Sequence, residues 1–229
     1  MDDKRESFYV INLTKATFAE IWQASNRSII PTAIVGALKL LRRPWRCGAP
    51  VSLGVAERID SAEVPQDVLR QMQEPLLHLR DLGFKAIGAT HKKFVGVSEG
   101  YTLELLSEDR LTGCSLLWVR NRTAGQTSET VAISMSSQRR RGEVLGTSNV
   151  PFGLKAPPGV LAVRLPGASA ADVYEKHRQR IGALIDVVVF DADSRMKLVE
   201  DLSDRSNKFN VDRGLYILAT DEEVLNAMN

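Results

Sequence analysis

The strongest constraint on this chain is a period of two. Val131, Ile133 and Met135 alternate with Ala132, Ser134 and Ser136, the pattern of a strand that turns one apolar face to a core. Tyr101, Leu103 and Leu105 alternate in the same way with Thr102 and Glu104. Residues 114–119 (CSLLWV) form a more continuous apolar run, while 144–147 and 160–165 offer further strands. The links at 109–112 and 121–128 are too short for the helical crossover that a parallel pair requires. Antiparallel pairing is therefore expected.

Helical periodicity flanks this region on both sides. Pro65 suits a first helical turn, and Val68, Met72, Leu76 and Leu79 then recur along one face, with Gly83 placed to end the helix. Pro75 conflicts with that pattern, since it removes the bond to Gln71 and should kink or split the helix. Ser169 and Asp172 have capping-box spacing before Val173, His177, Ile181 and Leu184, the stripe of a second helix over 169–184. Residues 185–190 are β-branched enough to predict a strand, followed by a turn at 191–194 and an apolar stretch near 196–202. Residues 215–218 predict a last strand before a short terminal helix.

The order of elements gives an α+β fold: an antiparallel, curved sheet with helices on one face, preceded by a short N-terminal helical segment. Arg42 to Pro50 (RRPWRCGAP) reads as the junction, which puts a helical segment at 1–50 and the α+β domain at 51–229. This order resembles START-type hydrophobic-ligand domains. The resemblance implies a ligand cavity between the sheet and the 169–184 helix, and it carries no residue across.

Charge excludes some partners. Lys plus Arg total 30 against 28 Asp plus Glu, a net +2, without the basic excess of a nucleic-acid-binding domain. The clusters Lys92-Lys93 and Arg139-Arg140-Arg141 also lack interleaved aromatic residues on which bases stack, so nucleic acid is not expected. Two cysteines, in no CxxC pair, and an acidic start unlike a secretory signal point to a cytoplasmic setting. The apolar run at 29–41 falls short of the roughly 20 residues needed to span a bilayer. It leads into a basic and aromatic corner, Lys39, Arg42, Arg43, Trp45 and Arg46, suited to an anionic membrane surface or a protein partner.

Three features bear on chemistry. Ser98 sits in GVSEG, a match to the G-x-S-x-G nucleophile elbow, but the strand-like YTLELL follows where that motif needs a helix. Completing a triad with Asp172 and His177 would need two partners five residues apart on one helix. Asp191 and Asp193 after a β-branched run resemble the haloacid-dehalogenase-like pattern, which implies a nucleophile and an acid around a magnesium ion; Arg195 departs from it. His177 lies on a core-facing stripe, where an imidazole must find hydrogen bonds or line a cavity. Tyr101, Tyr174, His177 and Arg178 are the corresponding candidate ligand-binding set. The sequence thus favours a non-catalytic domain that binds an apolar small molecule or a membrane surface, with no cofactor. The alternative is a hydrolase using Ser98 or a metal-dependent Asp191/Asp193 site, and whether the chain is an enzyme stays open.

Overall fold

The computed structural model describes residues 7–24, 29–40, 45–53, 56–93, 99–123, 126–151, 153–182 and 184–228. Two sheets organise them. The larger has seven strands in the order β3 (Glu57–Ile59), β4 (Lys85–Lys93), β5 (Glu99–Leu106), β6 (Gly113–Thr123), β7 (Gln126–Gln138), β8 (Val144–Ser148) and β9 (Val160–Arg164). Neighbours pair antiparallel except β8 and β9, which run parallel. The described residues of that crossover, 149–151 and 153–159, contain no helix. The smaller sheet places β1 (Phe8–Asn12) between β2 (Arg46–Ser52) and β10 (Tyr216–Leu218), all antiparallel. The fold is thus α+β with a mostly antiparallel sheet, and the large sheet is open rather than closed into a barrel.

The alternating residues sort onto two faces as their period requires. Leu103, Leu105, Cys114, Leu116, Trp118, Ile133 and Met135 are buried on one face under α3 (Gln66–Asp81) and α4 (Ala170–Ile181). The helices contribute Val68, Met72, Leu79, Ala170 and Val173 to this core. Pro75 neither splits nor ends α3. The carbonyl it leaves unbonded belongs to the exposed Gln71, where water can satisfy it. The Ser169/Asp172 capping box forms at the start of α4.

The opposite face is covered as well, as the continuous apolar run at 114–119 allows, but by a helix where the element order put helices on one face only. Asp191 starts no turn but caps α5 (Ala192–Asp212), a 21-residue helix that crosses this second face and contacts β4, β5 and β10. Its Arg195, Val199, Leu202 and Ser206 follow a helical stripe. Residues 185–190 form no strand. Their one ladder contact is the isolated bridge between Arg139 and Val187, because this segment runs over the end of the sheet and lodges Phe190 beside Leu106, Val144 and Leu198.

The expected junction is strand: Arg46 to Pro50 belong to β2, so the residue-50 boundary falls inside the small sheet. The N-terminal elements α1 (Phe18–Ala24) and α2 (Ile29–Leu40) pack with this sheet around Ala16, Ile21, Val35 and Leu215. Glu20 ties three parts of the chain together. Its carboxylate accepts from the backbone N–H of Lys155 and from both terminal nitrogens of Arg213. These donors outweigh burial and hold it at about 2, well below the ordinary carboxylate value. The final helix, α6 (Asp221–Met228), contacts β2.

Candidate functional site

The ligand set drawn from the sequence lies on the α3/α4 face, and there the structure is packed. Tyr101 is buried and stacks on His91 at 4.4 Å. Tyr174 meets Phe84 edge to face at 5.3 Å. Arg178 pairs with Asp109 and lies 5.9 Å over the Tyr174 ring. His177 is fully buried between two hydroxyls. Ser137 Oγ spends its proton on the Leu111 carbonyl at 2.6 Å and so accepts from His177 Nε2–H at 2.9 Å. Thr147 Oγ1 accepts from Arg180 and donates to Nδ1 at 3.0 Å. The neutral ring is satisfied at both nitrogens. Burial, reinforced by Arg180 and Arg195, lowers its pKa to about 4. An open groove of about 250 Å3 between α3 and the start of α4 reaches Val131 but none of these four residues. The cavity expected under the 169–184 helix at His177 is therefore filled by side chains.

Open space lies on the other face, between the sheet and α5. A cavity of about 210 Å3 is walled by Leu117, Ala132, Met196 and Val199, with Thr90, Thr102 and Ser115 on the strands. A second, of about 560 Å3, extends it toward β8 and β9 along Ser148, Val160 and Arg164. Both are lined by Ser115, Leu117, Ser134, Val199 and Ser203, so they form one groove.

Strand register explains the floor of this groove. Glu104 pairs with Ser115, Ser115 with Ser134, Ser134 with Ser148 and Ser148 with Arg164. All five residues fall on the α5 side, in one row across five strands. Four strand spacings of about 4.8 Å make the row about 19 Å long. At its β5 end, Arg195 descends from α5 and donates to Glu104 Oε2 at 2.9 Å, to Ser115 Oγ at 2.9 Å and to Ser136 Oγ at 2.6 Å. Arg195 and Glu104 are 1% and 0% exposed. Burial pushes the Glu104 carboxyl up, while Arg195 and Ser115 oppose that shift. Gly113 makes room for the guanidinium: a Cβ there would stand 2.6 Å from Arg195 Cζ. Arg195 Nε is buried with no hydrogen-bond partner.

The remaining sequence candidates fall elsewhere. Ser98, Arg42 and Arg43 lie outside the described residues. Asp191 accepts from Ser194 N at 2.7 Å and Ser194 Oγ at 2.6 Å, and these bonds lower its pKa. Asp193 is exposed in the first turn of α5. Among the described residues no group of three or more His, Cys, Asp or Glu side chains is placed to hold a metal ion. Of the basic corner, Lys39 donates to the Ala16 carbonyl and sits 4.9 Å over the Phe18 ring. Arg46 makes a two-pronged pair with Glu223 at 2.7 and 2.6 Å, and Trp45 packs against the Ala16 cluster. No described helix is long and apolar enough to cross a membrane. Comparison with known proteins found no matching family model, no matching curated protein and no matching solved structure.

Proposed function

We propose that this protein binds a small, largely apolar molecule in the groove between α5 and the large sheet. The observation that carries this reading is the continuity of the two cavities: the larger, about 560 Å3, falls within the usual size of small-molecule sites. The walls fit such a ligand, being aliphatic on α5 and on the strands, with hydroxyls set along the floor to orient it. The START-type element order and the core-facing His177 point instead to the opposite face, under the 169–184 helix. The ligand-binding expectation thus moves from the α4 face to the α5 face. The membrane expectation gains nothing from Lys39 and Arg46, whose charged groups are engaged within the chain.

The test uses prodan, a neutral naphthalene dye whose emission shifts to the blue when it leaves water. Wild-type protein should bind it saturably. Ser134→Phe and Val199→Trp, which fill the groove from its two sides, should each weaken binding by about tenfold or more, roughly 1.4 kcal/mol. Both variants should keep the wild-type circular dichroism spectrum. Absence of saturable binding, or binding indifferent to both substitutions, would overturn the proposal.

A further inference from the structure

The groove is electrically asymmetric, and the cross-strand row shows how. At the β5 end, Arg195 carries its own counter-ion, Glu104, at 2.9 Å. At the mouth, Glu200 is paired with Arg58 at 2.7 Å, and Lys92 lies in the field of Asp204. The β9 end differs. Arg164 donates to the Leu154 carbonyl, and its guanidinium lies against Gly153, where a Cβ would stand 2.6 Å from Cζ. On the other face of the same edge, Arg180 donates to the Gly146 and Leu161 carbonyls and the Thr147 hydroxyl. Among the described residues neither arginine has a carboxylate partner. Carbonyl oxygens hold a guanidinium in place without cancelling its charge, so this end of the groove stays positive.

Between the two ends stand Ser134 and Ser148, whose hydroxyls make no hydrogen bond to another described residue and line the open space. Resting on the small-molecule reading above, we infer that the ligand is an elongated amphiphilic anion. Its acidic group pairs with Arg164, and its body runs toward β5 past the two serines and beneath Val199 and Leu202. A planar guanidinium can grip a carboxylate through two parallel N–H bonds. The internally neutralised Arg195 offers no comparable charge, which fixes the direction in which such a molecule lies.

Prodan displacement separates this inference from the reading beneath it. Decanoate, decan-1-ol and decyltrimethylammonium share a tail and differ in head-group charge. Decanoate should displace the dye at a concentration at least about tenfold lower than decan-1-ol, with the cation weakest. Arg164→Gln should abolish that advantage, whereas Arg178→Gln, on the far face, should preserve it. Should Arg164→Gln fail to fold, Arg164→Lys should retain part of the advantage. In the wild type, raising salt from about 20 to about 500 mM should shrink it as well. Equal displacement by all three ligands, or an advantage untouched by Arg164 substitution and salt, would overturn the charge assignment while leaving the groove as a binding site. Failure of prodan itself to bind would remove the underlying reading.

Discussion

The buried pair under α5 makes a quantitative claim about stability. Arg195 and Glu104 are nearly inaccessible to water and share Ser115 between them. Glu104→Leu would leave the guanidinium with only the hydroxyls of Ser115 and Ser136, and Arg195→Met would leave a buried carboxylate with Ser115 alone. Removing one member of a buried ion pair costs about 3–5 kcal/mol, because the survivor keeps its desolvation penalty without its counter-ion. For a domain of this size that corresponds to a fall in Tm of roughly 6–20 °C. The double variant removes both penalties and should lie near wild type. Urea denaturation of all four proteins closes the cycle, with the slope against urea checked for constancy. Coupling close to the sum of the two single costs, about 6–10 kcal/mol, is expected. If each single change cost under about 1 kcal/mol and the double equalled their sum, the guanidinium would not be held as described.

Two buried groups should reveal themselves by pH, in different windows. His177 titrates at about 4 in the fold against 6.5 when unfolded. Its neutral form therefore stabilises above the unfolded value, and that stability drains away as pH falls from about 6.5 toward 4. Between pH 7.5 and 4.5 wild type should lose about 2–3 kcal/mol more than His177→Gln in urea melts, and equal losses would refute the buried neutral imidazole described. Glu20 is depressed from 4.5 to about 2, so its contribution persists above pH 4.5 and disappears as pH falls toward 2. Glu20→Gln should cost about 1–2 kcal/mol at pH 7, a difference that vanishes in acid melts near pH 2.

The parts of this fold that sequence made legible are those where period and capping agree. The 131–136 alternation, the short strand links and the Ser169/Asp172 box each point to one local structure, and the structure contains it. The groove on the α5 face was not legible for a physical reason. Ser115, Ser134, Ser136 and Gly113 look like a solvated strand face, yet small residues serve equally where a helix delivers an arginine onto the sheet and leaves a cavity beside it. The stripe Arg195, Val199, Leu202, Ser206 and the Asp191/Ser194 cap carried the missing signal. It was obscured because 185–190 reads as strand, whereas that segment covers the end of the sheet without pairing along it. Neither the parallel β8/β9 pair nor the Glu104-to-Arg164 row is visible in any single stretch of chain. The pair exists only once two strands separated by a loop are brought side by side, and the row only once five strands are set in register.

The small sheet joins the earliest described strand to the last. Tyr9, Val10 and Ile11 of β1 pair with Leu218, Ile217 and Tyr216, across nearly the whole length of the chain. On a ribosome adding about 5–20 residues per second, β1 emerges roughly 10–40 s before its partner. During that interval β2 can satisfy one edge of β1, but the other edge has no native strand to meet. The large sheet, whose strands mostly pair with their sequence neighbours, can form meanwhile. Assembly of the small sheet then waits for β10, which follows α5 by only a few residues, so translation order itself imposes a folding order: the large sheet first, the groove wall and the closure around β1 last.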